Sequence, residues 1–80
     1  MKTTAYFQFR RIELDRHSIQ DVWIEYVILN PEKTEIQLDG RIRKWAKIQE
    51  ADGRYLRVIL LEDGETVHNA FFDRRFGAKL

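Results

Sequence analysis

The chain has 80 residues, no cysteine and a formal net charge of +1, with 44% hydrophobic and 34% charged residues. A chain of this length forms one domain with a small core, and the lack of cysteine excludes disulfide bonds and thiolate metal sites. No apolar run approaches the roughly 20 residues of a bilayer-spanning helix, and residues 1–4 lead into no signal-peptide pattern. We therefore expect a single domain over residues 1–80, located in the cytoplasm and not in a membrane.

The N-terminal segment, from Thr4 to Leu14, is ambiguous. Its aromatic residues favour a strand by β propensity. The spacing of Ala5, Phe9 and Ile12 would suit a helix face equally well. We predict a strand from Tyr6 to Ile12 and keep the helix as the alternative.

The next segment, from Ser18 to Leu29, predicts the clearest helix. Ser18 is its expected N-cap, with Asp21 three residues on in a capping-box position, and the Asn-Pro pair after Leu29 ends it. Its predicted buried stripe consists of Ile19, Val22, Trp23, Tyr26 and Val27. Ile24 and Ile28 fall behind that stripe. They therefore need a second cover, either the N-terminal segment or a second copy of the chain in a homodimer.

Strands in series follow the helix. The first runs from Lys33 to Leu38, and the next three lie between Asp39 and Phe72. Asp39-Gly40 and Asp63-Gly64 are both signals for tight hairpins. We predict one α+β domain with one main α-helix packed on a four- or five-stranded, mainly antiparallel sheet.

Alternation of side chains along the strands predicts two distinct sheet faces. The apolar face is the expected core side and holds Ile42, Ala46, Leu56, Val58, Leu60, Val67 and Phe71. Lys44 falls on this face and is expected near an edge, where its amine can reach water. The other face is basic and aromatic, with Arg41, Arg43, Trp45, Lys47, Tyr55, Arg57 and His68.

The predicted register sets which of these residues meet. Across the second and third strands, Trp45 is expected opposite Arg57 and Lys47 opposite Tyr55. Around a two-residue Asp63-Gly64 loop, Leu60 is expected opposite Val67, Ile59 opposite His68, and Arg57 opposite Ala70. His68 and Arg57 would then be diagonal neighbours.

The basic face suggests that the chain handles phosphate. The two histidines, His17 and His68, lie far apart in sequence, so we predict no metal site. We also predict no cofactor. His68 could act as general acid or base, with Arg57, Arg43 or Arg41 holding a phosphate by forked hydrogen bonds. Trp45 and Tyr55 could stack bases, and Arg74 and Arg75 extend the basic surface. The structural alternative is that His68 is an ordinary strand residue and Trp45 packs over the Arg57 guanidinium.

Three motifs carry a resemblance to known proteins: D-G-R-I-R-K-W at 39–45, R-Y-L-R-V at 54–58 and L-E-D-G-E-T-V-H-N-A-F-F-D-R at 61–74. Together they resemble a family of small uncharacterised bacterial proteins. More distantly, the chain resembles the RelE/BrnT class of toxin-like domains. That resemblance implies a RelE-like fold, RNA or the ribosome as target, and an antitoxin protein as partner.

Two functional hypotheses follow. The first is a RelE-like, RNA-binding domain that works as a metal-independent endoribonuclease, with His68 and Arg57 as its catalytic residues. The second is a non-enzymatic module that binds nucleic acid or a protein through the same face, or associates as a homodimer.

Overall fold

The computed structural model describes residues 1–13 and 18–78. Their elements are α1 (Ala5–Arg10), α2 (Asp21–Leu29), β1 (Lys33–Ile36), β2 (Ile42–Ile48), a 3-10 turn (Gln49–Ala51), β3 (Arg54–Leu60), β4 (Val67–Phe72) and α3 (Arg74–Ala78). The four strands form one antiparallel sheet in the order β1-β2-β3-β4. The predicted α+β class and antiparallel sheet are confirmed, but α2 shares the helical part of the fold with two shorter helices.

The prediction of a strand from Tyr6 to Ile12 is wrong, because the segment begins as helix α1. The Thr4 side chain caps this helix by accepting the backbone N–H of Phe7 at 3.1 Å. Phe7 enters the core with 2% of its surface exposed. A satisfied cap and one buried aromatic ring therefore outweigh the β propensity of the segment.

Helix α2 begins later than predicted, at Asp21, and the Gln20 N-cap makes no side-chain hydrogen bond. Ser18 is exposed, whereas Ile19 is buried in the core. The start of α2 is held by Arg11 instead, which donates to the Ile19 carbonyl at 3.0 Å and pairs with Asp21 at 2.6 Å. Asp21 does lie in the first turn, where its charge suits the helix dipole.

The buried face of α2 is rotated from the predicted stripe. Ile24 and Val27 are fully buried, and Trp23 and Ile28 pack against the core from its margin. Val22 and Tyr26, predicted to be inside, are exposed. Ile24 is thus covered within one chain, which was one of the two alternatives for its cover.

The register between β2 and β3 is as predicted, with Trp45 opposite Arg57 and Lys47 opposite Tyr55. We call the sheet face under α2 the inner face and the face that carries Trp45 the outer face. The inner-face core includes Ala46, Ile48, Leu56, Val58, Leu60, Val67 and Ala70. Lys44 also lies on the inner face, where its amine donates to the Ile28 carbonyl in the last turn of α2 at 3.0 Å.

Strand β4 departs from prediction after its first residue. Leu60 pairs with Val67 as expected, but an irregularity follows and Ile59 pairs with Asn69. His68 is the extra residue of a β-bulge, so the parity of β4 changes beyond it. Arg57 therefore lies opposite Phe71. Ala70 and Phe72 lie on the inner face of β4, where Phe71 was predicted.

Both Asp-Gly hairpins form, but with longer loops than the predicted two-residue turn. In each, the glycine N–H donates to the residue three positions earlier, Gly40 to Gln37 and Gly64 to Leu61, both at 2.9 Å. Only the glycine of each pair has positive φ, 89° at Gly40 and 71° at Gly64, whereas a type I′ turn needs it at both central residues. Gly64 is thus the last residue of its turn, whose central residues are Glu62 and Asp63, one position earlier than the predicted Asp63-Gly64 pair.

Candidate functional site

Asp73 directly follows β4, and its carboxylate accepts hydrogen bonds from residues on the outer face of the sheet. One carboxylate oxygen accepts the indole N–H of Trp45 at 3.0 Å and an Arg57 N–H at 3.4 Å. The other accepts the backbone N–H groups of Arg75 and Phe76 at 3.1 and 3.2 Å, so Asp73 caps α3. Burial raises the pKa of Asp73, but the hydrogen bonds from Trp45, Phe76 and Arg75 and the charge of Arg57 together hold it below its ordinary value.

The guanidinium of Arg57 is held between two aromatic rings. Its carbon lies 5.5 Å from the ring centre of Trp45 and 5.1 Å from that of Phe71. With the ion pair to Asp73, these contacts fix the orientation of its N–H groups. The structural alternative considered for Trp45 and Arg57 is thus observed.

Phe76 of α3 covers the two aromatic residues that were predicted to stack bases. Its ring is stacked on Trp45 with centroids 5.0 Å apart and an interplanar angle of 15°. It also lies 4.9 Å from Tyr55, whose hydroxyl donates to Glu32 at 3.2 Å. Trp45 is 4% exposed as a result, so it presents no ring face to a base.

Beside this aromatic cluster lies a cleft of about 230 Å³, which we call the arginine cleft. Its lining combines four cations (Lys33, Arg43, Arg57 and Arg75), two carboxylates (Glu35 and Asp73) and the rings of Trp45 and Phe76. Glu35 lies 3.3 Å from the Lys33 amine and 3.9 Å from Arg43, so its single charge is shared between two cations. The formal charge around the cleft is positive, which suits an anionic ligand.

Other predicted site residues lie outside this lining. Arg41 lies beyond the hairpin end of β2 and pairs with Asp39 at 3.7 Å. Lys47 lies toward the opposite end, with its amine 5.8 Å from the ring centre of Tyr55. Arg74 is exposed on α3. The predicted basic surface therefore reduces to a smaller cluster around Arg43, Arg57 and Arg75.

His68 lies in a different environment from Arg57. The bulge places it three positions along β4 from Phe71, the residue opposite Arg57, which is roughly 10 Å of strand. Its ring stacks on Tyr6 of α1, with centroids 4.8 Å apart, and its Nδ1 lies 3.1 Å from the Thr4 hydroxyl. The structure therefore does not bring the two predicted catalytic side chains together. His17 lies outside the described residues.

We expect the free energy of unfolding to fall as the pH drops below about 6.5 because of His68. Burial, with the nearby charge of Arg41, lowers its pKa below 6.5, and Asp39 opposes this only in part. The unfolded chain therefore binds the proton at a higher pH than the native chain, and protonation favours unfolding. Urea midpoints at pH 7.5 and 5.5 measure the effect.

His68→Gln is the control, since glutamine keeps a polar side chain without the titration. The midpoint of this variant should decrease less between the two pH values than that of the parent chain. An equal decrease in both proteins would assign the pH dependence to other groups.

Sequence reasoning missed Lys33, Glu35 and Asp73 as site residues. The first two come from the edge strand β1, and only its register with β2 brings them beside Arg43. An aspartate directly after a strand and before a short helix is an N-cap signal, which could have placed α3 over the sheet.

Comparisons with protein-family models, curated proteins and solved structures gave no match to this chain. Among the described residues, no helix is both long and apolar enough to pass through a bilayer.

Proposed function

We propose that this chain is a non-enzymatic module that binds the phosphate groups of a nucleic acid in the arginine cleft. The observation that carries the proposal is the lining itself, where four cations outnumber two carboxylates around about 230 Å³. Contacts to phosphates supply most of the sequence-independent affinity for nucleic acids. RNA is the preferred form because of the resemblance to RelE/BrnT domains.

The geometry of the cleft favours forked recognition of an oxyanion. Guanidinium groups bind phosphate oxygens through pairs of parallel N–H donors. Arg57 is already oriented by Trp45 and Phe71, so little side-chain freedom is lost on binding.

The contacts of Phe76 and His68 favour phosphate binding over base stacking or catalysis. The Trp45 ring is covered by Phe76, so the cleft offers a ligand charge rather than a stacking surface. A ribonuclease of this kind needs an acid or base beside the cation that holds the phosphate, and His68 contacts α1 instead. The RelE-like fold, an endoribonuclease activity and binding to the ribosome or an antitoxin stay predictions.

We expect Arg75→Ala to weaken binding of a single-stranded RNA about three- to tenfold, because the variant loses one phosphate contact. The slope of log affinity against log salt should decrease in magnitude by about 1. Fluorescence anisotropy with a labelled RNA at several salt concentrations measures both quantities. Arg43→Ala should behave in the same way.

Arg74→Ala is the matched control, since it removes the same charge from the same helix without touching the cleft. Lys2→Ala removes a charge that pairs with Glu65 elsewhere on the surface. If both controls weaken binding as much as Arg75→Ala, the cleft is not the site. If the parent chain cleaved the RNA, and both Arg57→Ala and His68→Ala abolished that cleavage, the endoribonuclease would be favoured instead.

A further inference from the structure

The charges that line the arginine cleft do not cancel. The ionic side chains of the lining are Lys33, Glu35, Arg43, Arg57, Asp73 and Arg75. Asp73 offsets the charge of Arg57, which lies 3.4 Å away. The single charge of Glu35 is shared between Lys33 and Arg43. Because four cations face two carboxylates, two formal positive charges are left in excess.

The four cations reach the cleft from four different elements. Lys33 comes from β1, Arg43 from β2, Arg57 from β3 and Arg75 from α3. They surround a volume of about 230 Å³, which is smaller than the roughly 300–1,000 Å³ of sites for drug-sized ligands. Proteins that bind along a strand of nucleic acid place their cations in a groove that follows the backbone instead. The arrangement in this chain therefore suits one small anionic group.

The excess positive charge does not continue along β2 beyond the cleft. At the hairpin end, Arg41 lies 3.7 Å from the carboxylate of Asp39. Toward the opposite end, Lys47 donates its backbone N–H to the carboxylate of Glu32 at 2.9 Å. A strand of nucleic acid that continued along β2 would therefore meet a carboxylate at either end, and like charges repel.

We propose that the arginine cleft receives the terminal phosphate monoester of an RNA strand rather than an internal phosphodiester, an inference that rests on the proposed function. An internal phosphate carries a single negative charge. A phosphate monoester carries about −1.5 to −2 near pH 7 and offers three acceptor oxygens. The terminal group therefore matches the two excess charges of the lining, whereas an internal phosphate leaves one of them uncompensated. Its third oxygen also gives the forked donors of the arginines one more acceptor.

Two pairs of labelled single-stranded RNAs test the proposal. Within each pair the sequence is identical, and one strand ends in a phosphate and the other in a hydroxyl, at the 5′ end in the first pair and at the 3′ end in the second. In fluorescence anisotropy, the phosphate-ended strand of at least one pair should bind about tenfold more tightly, as expected for added charge-assisted hydrogen bonds. The pair that shows the preference identifies which end is bound. Equal affinities within both pairs overturn the proposal.

Arg75→Ala tests whether the preference arises in the cleft. This variant should reduce the preference for the phosphate-ended strand about threefold or more, because one charged donor to that group is lost. Arg74→Ala removes the same charge from a neighbouring position outside the cleft and should keep the preference. A preference that both variants keep, or that both lose equally, would place the terminal phosphate elsewhere and overturn the proposal.

The same measurements separate this proposal from phosphate binding in general. If the cleft binds internal phosphates, Arg75→Ala weakens phosphate-ended and hydroxyl-ended strands by the same factor, and Arg74→Ala weakens neither. The proposed function then holds, and the terminal phosphate is excluded. If Arg75→Ala weakens no strand more than Arg74→Ala does, the cleft is not the binding site and the proposed function itself fails.

Discussion

Replacing Asp73 by alanine is expected to lower the free energy of unfolding by about 3 kcal/mol. The variant loses the cap of α3, the acceptor of the Trp45 indole N–H and the counter-ion of Arg57 at once. The Arg57 side chain is only 20% exposed, so its charge would be left in a largely dry environment. Urea denaturation followed by circular dichroism measures the loss, and NMR of the Trp45 indole proton should show faster exchange with solvent.

Arg74→Ala is the control, because Arg74 lies next to Asp73 but is exposed and should change stability by less than about 0.5 kcal/mol. An Asp73→Ala chain as stable as the parent would contradict the role assigned to this carboxylate. The pH dependence gives a second readout. Because the native pKa of Asp73 is lowered, its stabilising effect is complete above the ordinary pKa and is lost as the pH falls through the native value.

Ile24→Ala should also destabilise the chain by about 3 kcal/mol. Ile24 is one of the largest fully buried side chains, at 0% exposure, so truncation leaves a cavity between α2 and the sheet. Urea denaturation measures the change. The effect should not depend on protein concentration, because the side chain is covered within one chain.

Leu29→Ala serves as the matched control on the same helix. Leu29 is 79% exposed, and its truncation should cost less than about 0.5 kcal/mol. If the Ile24→Ala loss increased at low protein concentration, Ile24 would contribute to an intermolecular contact after all.

Local sequence patterns were sufficient to predict the pairing of the central strands β2 and β3. Apolar and polar residues alternate through β2 and β3, with Lys44 and Ile59 as the exceptions, and a slip of one residue would have exposed most core side chains. The pairing of Trp45 with Arg57 and of Lys47 with Tyr55 was therefore predictable. The inner-face residues Leu56, Val58 and Leu60 were correct for the same reason.

The structures of β4 and of the N-terminal segment depend on long-range contacts that no local sequence pattern encodes. The bulge at His68 occurs where α1 and the N-terminal segment meet β4, through Thr4 and Tyr6. Without that contact, nothing in the residues from Val67 to Phe72 distinguishes a regular strand from one with an extra residue. The same contact explains why Tyr6 and its neighbours adopt a helix despite their β propensity.

The candidate site was predicted in part. Arg43, Trp45 and Arg57 do lie together on the outer face, as parity required. Their exposure could not be predicted, because it depends on α3 folding back so that Phe76 stacks on Trp45. That packing turns an expected aromatic platform into one wall of a charged cleft.

The cover over β4 has a consequence for polymerisation. The N-terminal segment meets β4 through two backbone hydrogen bonds at Val67 and the Thr4–His68 contact, so it is a candidate for early local opening. While it is closed, the backbone N–H and C=O groups of Val67 are paired, so this edge of the sheet is covered there. Once it opens, the same backbone groups are free to pair with a strand of another molecule, which is a route to aggregation.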